Sequence, residues 1–178
     1  MKATGIVRRI DDLGRIVIPK EIRRVLKIAT GDPLEIFTGD EGSITFKKYS
    51  VLNEMTDLAE SFAFTVFDAL RLTAVVADKE KVVAAFGNVR KELENKKINN
   101  DLVEIIRAGK NYFFKEGENK KRTVEGEEIF ISSACPVISN GDVLGVIAVI
   151  LPENSAPLSE DGKKLLAYSA KLLGKQLE

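Results

Sequence analysis

The chain has 178 residues, 44% of them hydrophobic and 30% charged, with 27 basic and 27 acidic side chains in balance. That is an ordinary globular composition, long enough for two small domains, and no stretch approaches the ~20 apolar residues that a membrane span needs. There is no histidine and a single cysteine, Cys135, which excludes Ser-His and Cys-His nucleophile arrangements, histidine metal centres, intrachain disulfides and zinc-cysteine clusters.

The zero net charge conceals a polarity. Residues 1–50 carry ten basic and seven acidic side chains, and the remainder seventeen and twenty, which predicts a polyanion-binding part joined to a part with another role. The N-terminus lacks the apolar stretch of a signal peptide, so a cytoplasmic protein, with no membrane partner, is expected.

Taken in chain order, the pattern predicts a strand at 4–10, a loop at 11–14, a strand at 15–18, a helix at 20–28, and strands at 33–38 and 44–49. Pro19 stops one element and starts the next, Gly31 is the expected C-terminal cap of the helix, and Gly39-Asp40-Glu41-Gly42 is a hairpin loop. In the helix Ile22, Val25 and Leu26 recur at i, i+3, i+4, while Lys20, Arg23, Arg24 and Lys27 share the opposite side. One face is expected to pack and the other to meet anions. A solvated helix face normally mixes signs, yet Glu21 is the only acid between Lys20 and Lys27, and eight basic residues face three acids through residue 27. Arginine suits phosphate or a guanine edge because its planar fork donates two parallel hydrogen bonds. Ile16, Val17 and Ile18 are contiguous, which implies burial on both faces, and fifty residues hold little core to cover two faces. A second copy of the chain is the expected cover, so the N-terminal part is read as an intertwined homodimer.

The run from Thr4 through Arg24, including Asp11-Asp12-Leu13-Gly14-Arg15-Ile16-Val17-Ile18-Pro19-Lys20-Glu21-Ile22-Arg23-Arg24, resembles the swapped-hairpin N-domain of the AbrB family of bacterial transition-state regulators. The likeness continues through Gly31-Asp32-Pro33-Leu34-Glu35-Ile36 to Lys47-Lys48-Tyr49. It implies an interleaved β-rich dimer that binds double-stranded DNA through Arg8, Arg15, Arg23 and Arg24, with Arg9 as an accessory contact, and with loose sequence preference. It also implies a transcription regulator of sporulation genes, associated with the nucleoid of a spore-forming bacterium.

No Gly/Ser or Pro-rich linker follows Ser50, so coupling to the second half is expected to be stiff. A helix from Leu52 to about Leu70 carries Leu52, Met55, Ala59, Phe62, Val66 and Ala69 at three-four spacing, and another begins after Ser159, a good N-cap. These helices can pack within one domain or against other copies, as in a tetramer, and the stripe alone does not choose. Between them, strands are predicted at 72–77, 81–86, 128–137 and 143–151, with a short helix at 101–108. Cys135 lies in the apolar run Ile129 to Ile138, where it reads as a small hydrophobe. Residues 115–128 are almost all charged, polar or glycine and predict a mobile loop, either a lid or a solvated insertion.

The segment Ser133-Ala134-Cys135-Pro136-Val137-Ile138-Ser139-Asn140-Gly141-Asp142-Val143-Leu144-Gly145-Val146-Ile147-Ala148-Val149-Ile150 resembles the closing hairpin of a GAF domain. That implies an antiparallel sheet flanked by helices and a pocket for an unknown small-molecule effector. The Asn-Lys-Phe-Asp-Glu signature of cyclic-nucleotide GAF domains is missing.

The expectation is an α+β chain: residues 1–50 a β-rich swapped-hairpin, AbrB-like dimerisation and DNA-binding domain, and residues 51–178 a GAF-like domain that assembles the oligomer. No catalytic residue, cofactor or metal ligand is assigned. An antitoxin-like protein-interaction module is the alternative; it would have a flexible acidic tail in place of a folded second half. An enzyme built on the GAF-like half would have only Cys135 and scattered acids such as Glu125, Glu127 and Glu128.

Overall fold

The computed structural model describes residues 4–154 and 156–178; Lys2, one of the basic residues counted above, lies outside them. The chain divides between Tyr49 and Ser50 into two compact units.

In the first unit, helix α1 (Lys20–Val25) is followed by an antiparallel hairpin, β1 (Leu34–Thr38) and β2 (Ile44–Lys48), in which Ile36 faces Phe46. Helix α1 stops earlier than the apolar spacing predicts, and its cap is not Gly31. Lys27 takes the left-handed conformation at φ 53°, its N–H reaches the Arg24 carbonyl at 3.3 Å, and the Ile28 N–H reaches the Arg23 carbonyl at 2.8 Å. That is the paired closure of a Schellman cap. Gly31, at φ 90°, serves the turn into β1 instead.

Among the described residues the strands expected at 4–10 and 15–18 form no ladder. A strand exists only through its neighbours, and a single copy brings none to Ile16-Val17-Ile18. Among the described residues of this unit Pro19 alone is buried. Val25 is 76% exposed and Leu26 56%, so the helix face expected to pack is open, part of a cleft of about 230 Å³ lined by Thr4, Glu21, Ile22, Val25 and Leu26.

The second unit is built on a five-stranded antiparallel sheet. Its strands are β3 (Ala74–Ala77), β4 (Val82–Phe86), β5 (Tyr112–Phe113), β6 (Ile131–Ser139) and β7 (Asp142–Ile150), in the order β4-β3-β7-β6-β5. Strand alternation sends neighbouring residues to opposite faces. Val76, Cys135, Val137, Ile147 and Val149 face one core, and Val75, Ala134, Val146 and Ala148 the other. The first core is covered by α2 (Val51–Glu54), α3 (Thr56–Leu70) and α6 (Glu160–Gln176), the second by α4 (Arg90–Leu93) and α5 (Asn100–Ala108). Burial of Cys135 pushes its thiol up to about 12.

The turn chemistry follows the sequence closely here. Asn140 and Gly141, at φ 50° and 87°, make the two-residue turn between β6 and β7, where right-handed strand twist favours positive φ at both positions. The Asn99 and Ser159 side chains cap α5 and α6 by accepting the Asp101 and Gly162 N–H groups.

Two expectations fail. The helix predicted from Leu52 to Leu70 is broken at Met55 (φ −104°, ψ 48°), where the Thr56 hydroxyl donates to the Asn53 carbonyl at 2.7 Å. The buried row of α3 is Ala59, Ala63 and Val66, and Met55 and Ala69 are exposed. The second failure is the loop at 115–128, whose second half is pinned. Thr123 N–H reaches the Ile129 carbonyl at 2.8 Å, Asn99 N–H the Thr123 carbonyl at 2.9 Å, and Glu125 N–H the Lys97 carbonyl at 2.9 Å. Lys97 pairs with Glu125 and Lys96 with Glu127, while Thr123 and Val124 are fully buried. Polar composition suggested mobility because side chains dominate composition; here backbone bonds to two flanking segments hold the chain.

Candidate nucleic-acid interface

Of the five arginines singled out by sequence, Arg8 and Arg9 are exposed on the segment before the first turn. Arg15 is the most elaborately held. Asp11 and Arg15 close a loop on themselves: Asp11 N–H donates to the Arg15 carbonyl at 3.0 Å, and the Asp11 Oδ1 accepts from the Arg15 N–H at 2.8 Å and the Leu13 N–H at 3.0 Å. Gly14, at φ 76°, supplies the left-handed residue that this turn requires. The second carboxylate oxygen grips Arg15 Nε at 2.8 Å. Because the hold is on Nε, the two terminal nitrogens stay available, and the side chain is 69% exposed. The hydrogen bond from the Arg15 backbone N–H, with a further one from its guanidinium, holds the Asp11 carboxyl below the usual carboxylate range. The aspartate that sequence counting treated as an opposing charge is thus a positioning residue. The signal was there in the Asp-x-x-x-Arg spacing across a Leu-Gly turn, the kind of site where an aspartate caps its own backbone.

Arg23 and Arg24 sit in the last turn of α1, where positive charge complements the carbonyl end of the helix. Arg24 is exposed and Arg23 half-buried. The Nε of Arg23 is shielded from solvent and has no hydrogen-bond partner among the described residues, an arrangement that costs free energy until an acceptor arrives. Lys48 Nζ donates to the Lys27 carbonyl at 2.7 Å, tying β2 to the cap of the same helix. The fold therefore brings Arg23 and Arg24 together on one turn and holds Arg15 by its own clamp, and among the described residues Asp11 on Arg15 is the one acid paired with these three arginines.

In the second unit, the face under α5 is filled by Leu102, Ile105, Ile106 and Val124. The hydroxyls of Thr123, Ser132 and Ser133 are buried without a hydrogen-bond partner among the described residues. Among the described residues no group of three or more acids and cysteines is placed to hold a metal ion, and no helix is long and apolar enough to cross a membrane.

Comparison with known proteins agrees with both halves. Residues 54–178 match the protein family described as "Stage V sporulation protein T C-terminal, transcription factor", and residues 7–50 match "Antidote-toxin recognition MazE, bacterial antitoxin". The chain is 37% identical to stage V sporulation protein T of Bacillus subtilis (strain 168) over 180 aligned residues, covering 100% of this chain and 99% of that protein. It is 40% identical over 105 residues to the transition state regulatory protein AbrB of the same organism, covering 54% of this chain and 98% of AbrB. Among solved structures, the cofactor-binding GAF domain of the nutrient sensor CodY from Clostridium difficile superposes with a TM-score of 0.51 at 17% identity, covering 67% of this chain and 83% of that one. At that identity the likeness shows the fold alone. A near full-length relative, a family match over the second unit and an AbrB-like first unit make this chain a member of the stage V sporulation protein T family of transcription regulators, an α+β protein with a GAF-type fold in its second half.

Proposed function

We propose that the chain regulates sporulation genes by binding double-stranded DNA with loose sequence preference, as a homodimer of residues 1–50 that presents Arg8, Arg9, Arg15, Arg23 and Arg24. The observation that carries this reading is the Asp11–Arg15 clamp. An exposed arginine held by Nε and by its own backbone, in the same unit as a helix turn bearing Arg23 and Arg24, is arranged to meet an anion. Phosphate contacts of this type position a protein without reading bases, which fits loose preference. The dimer is supported by what the single copy leaves uncovered: Val7, Val17 and Val25 are each more than 70% exposed. Residues 51–178 then assemble the oligomer and sense a small molecule, in the cytoplasm at the nucleoid. Phe64 on α3 and Tyr168 and Leu172 on α6 are exposed, and these helices are the proposed seam between dimers in a tetramer. The antitoxin-like alternative has the match at residues 7–50 in its favour, but needs an acidic flexible tail where this chain folds a sheet with two cores.

The test is the salt dependence of DNA affinity in Arg15→Ala, Arg23→Ala and Arg24→Ala. Each phosphate contact contributes about −0.9 to the log-log slope, so a dimer that loses the same contact twice has its slope reduced by about 1.8 per substitution. Three folded variants with unchanged affinity and slope rule the site out.

A further inference from the structure

Gly145 in β7 has an ordinary strand backbone, yet it has no room for a side chain. A Cβ there would lie 2.1 Å from the Ala77 carbonyl, 2.5 Å from Leu52 Cδ1 and 3.0 Å from Asp78 Cα. Leu52 occupies the space that a side chain at this position would need, on the face of the sheet that α3 and α6 cover, and it is 1% exposed. It is the one buried residue of α2. The Ser50 hydroxyl caps this four-residue helix, and the break at Met55 separates it from α3. Helix α2 is thus set off from α3, and Leu52 is the side chain that it buries on the sheet.

The consequence is a connector of two lengths. The first unit ends at Tyr49, whose N–H is bonded to the Pro33 carbonyl at 3.1 Å. With Leu52 seated, Ser50 and Val51 are the two residues between that end and the anchored core. With Leu52 out of its seat, the next side chain packed on the core is Leu58 in α3, and residues 50–57 become connector. At ~3.5 Å per extended residue the reach grows from about 7 Å to at most about 30 Å.

The wall of the seat is tied to the other face of the sheet. Asp78 Oδ1 accepts the Glu80 and Lys81 N–H groups at 2.7 and 2.8 Å, fixing the β3–β4 turn. The Glu80 carbonyl in turn accepts the Ile98 N–H at 2.9 Å, one residue before Asn99 caps α5. A displacement of α5 therefore pulls on the turn that closes the seat.

We propose that Leu52 on Gly145 is a latch, and that the sensor half regulates DNA binding by setting whether α2 is seated or released. This rests on the reading above of a DNA-binding half and a sensing half. The seat, turn and α5 form a contiguous set of contacts, and α2 is the two-state element that such coupling requires.

The test uses the full chain with spin labels at Asp40→Cys and Asp142→Cys, diluted with unlabelled chains so that each assembly carries one labelled copy. The width of the distance distribution in the intact protein is the reference. Leu52→Ala broadens it at least about twofold, since a connector of greater reach samples more separations. Leu166→Ala, an equally buried leucine in the same core but outside α2, is the control and leaves the width unchanged. An unchanged width in Leu52→Ala, or equal broadening in Leu166→Ala, overturns the latch. If Leu52→Ala does not fold, Leu52→Val carries the same comparison. DNA affinity, measured on the same proteins, should fall several-fold in Leu52→Ala relative to Leu166→Ala as effective concentration drops with reach. Equal affinities overturn the regulatory role while leaving the DNA-binding reading intact. A parent protein that fails to bind DNA sinks that reading instead, with the distance widths still reporting on the latch.

Discussion

The first unit buries Pro19 and leaves Val7, Ile10, Leu13, Val17, Val25 and Ile36 exposed, while the second buries two apolar layers on either side of one sheet. Both come from the same chain with the same kinds of residue, so the difference is not one of hydrophobic content. It is a difference in where the partners come from. In the second unit the buried apolar strand residues share a layer with helix residues of their own chain, Val76 with Ala63 and Val66 and Val75 with Leu102 and Ile106. In the first unit the apolar residues have no such partners, and a two-stranded hairpin with one six-residue helix is marginal alone.

The largest effect should appear on cutting the chain after Ser50. A fragment of residues 51–178 is expected to unfold in one cooperative transition and to keep its fold on dilution, because both of its cores are filled by its own residues. A fragment of residues 1–50 is expected to lose its structure on dilution, because its stability is tied to association. Sedimentation together with thermal melts across a hundredfold range of concentration checks this, and a first fragment that is monomeric and well folded removes the basis for the comparison.

The next effect is chemical. Cys135 is 1% exposed, and burial raises its thiol pKa to about 12. At pH 8 about one thiol in 10⁴ is then ionised, against about one in four for an unperturbed group near 8.5. Alkylation in the intact protein should be slower than in the unfolded chain by about three orders of magnitude, and burial adds to that. The same reagent should react freely with a cysteine placed at Asp40, in the exposed hairpin of the first unit. Comparable rates at the two positions would mean that the second unit's core opens as readily as the first unit's surface.

Packing gives a smaller but still large effect. Gly174 in α6 lies so close to β6 that a Cβ would stand 2.1 Å from the Ile138 carbonyl oxygen. Gly174→Ala must push the helix off the sheet, at a cost of about 1–3 kcal/mol or more, while Gly42→Ala, at φ 74° with open space around it, meets backbone strain alone, about 1 kcal/mol. Denaturant midpoints of the two variants should rank in that order.

How much of this was legible in the sequence follows the same division. In the second unit local chemistry and tertiary outcome agree: Asn140-Gly141 makes the turn, Asn99 and Ser159 start helices, and strand alternation divides the two cores. What could not be read was non-local. The pinning of Thr123 and Val124 depends on backbone bonds to Asn99 and Lys97, more than twenty residues upstream, besides the nearby one to Ile129. Met55 looks like a good helix residue, yet the helix breaks there, three residues after Leu52, which packs against Gly145 more than ninety residues away. In the first unit the alternation and the run Ile16-Val17-Ile18 signal strands, but a ladder needs neighbours that one copy does not bring. The arginines were legible as a basic cluster; the clamp on Arg15 was not, because counting charges scores Asp11 against the site.

That clamp supplies the smallest and most discriminating effect. Asp11→Asn removes a negative charge from the basic face, so if long-range electrostatics alone governed DNA binding, affinity would rise. If Asp11 instead positions Arg15, the substitution weakens the hold on Nε and lets the guanidinium wander, and affinity falls a few-fold despite the added net positive charge. The pH dependence carries a sign as well. The folded Asp11 pKa is depressed, so its stabilising contribution is present above the unfolded value near ~3.9 and is lost as pH falls through the folded value. The clamp is therefore intact throughout the neutral range, and the effect of Asp11→Asn on DNA affinity should be constant between about pH 6 and pH 8. Binding isotherms at fixed salt decide between the two accounts: tighter binding by Asp11→Asn would show that Asp11 merely opposes the site, and weaker binding with a folded dimer would show that it builds it.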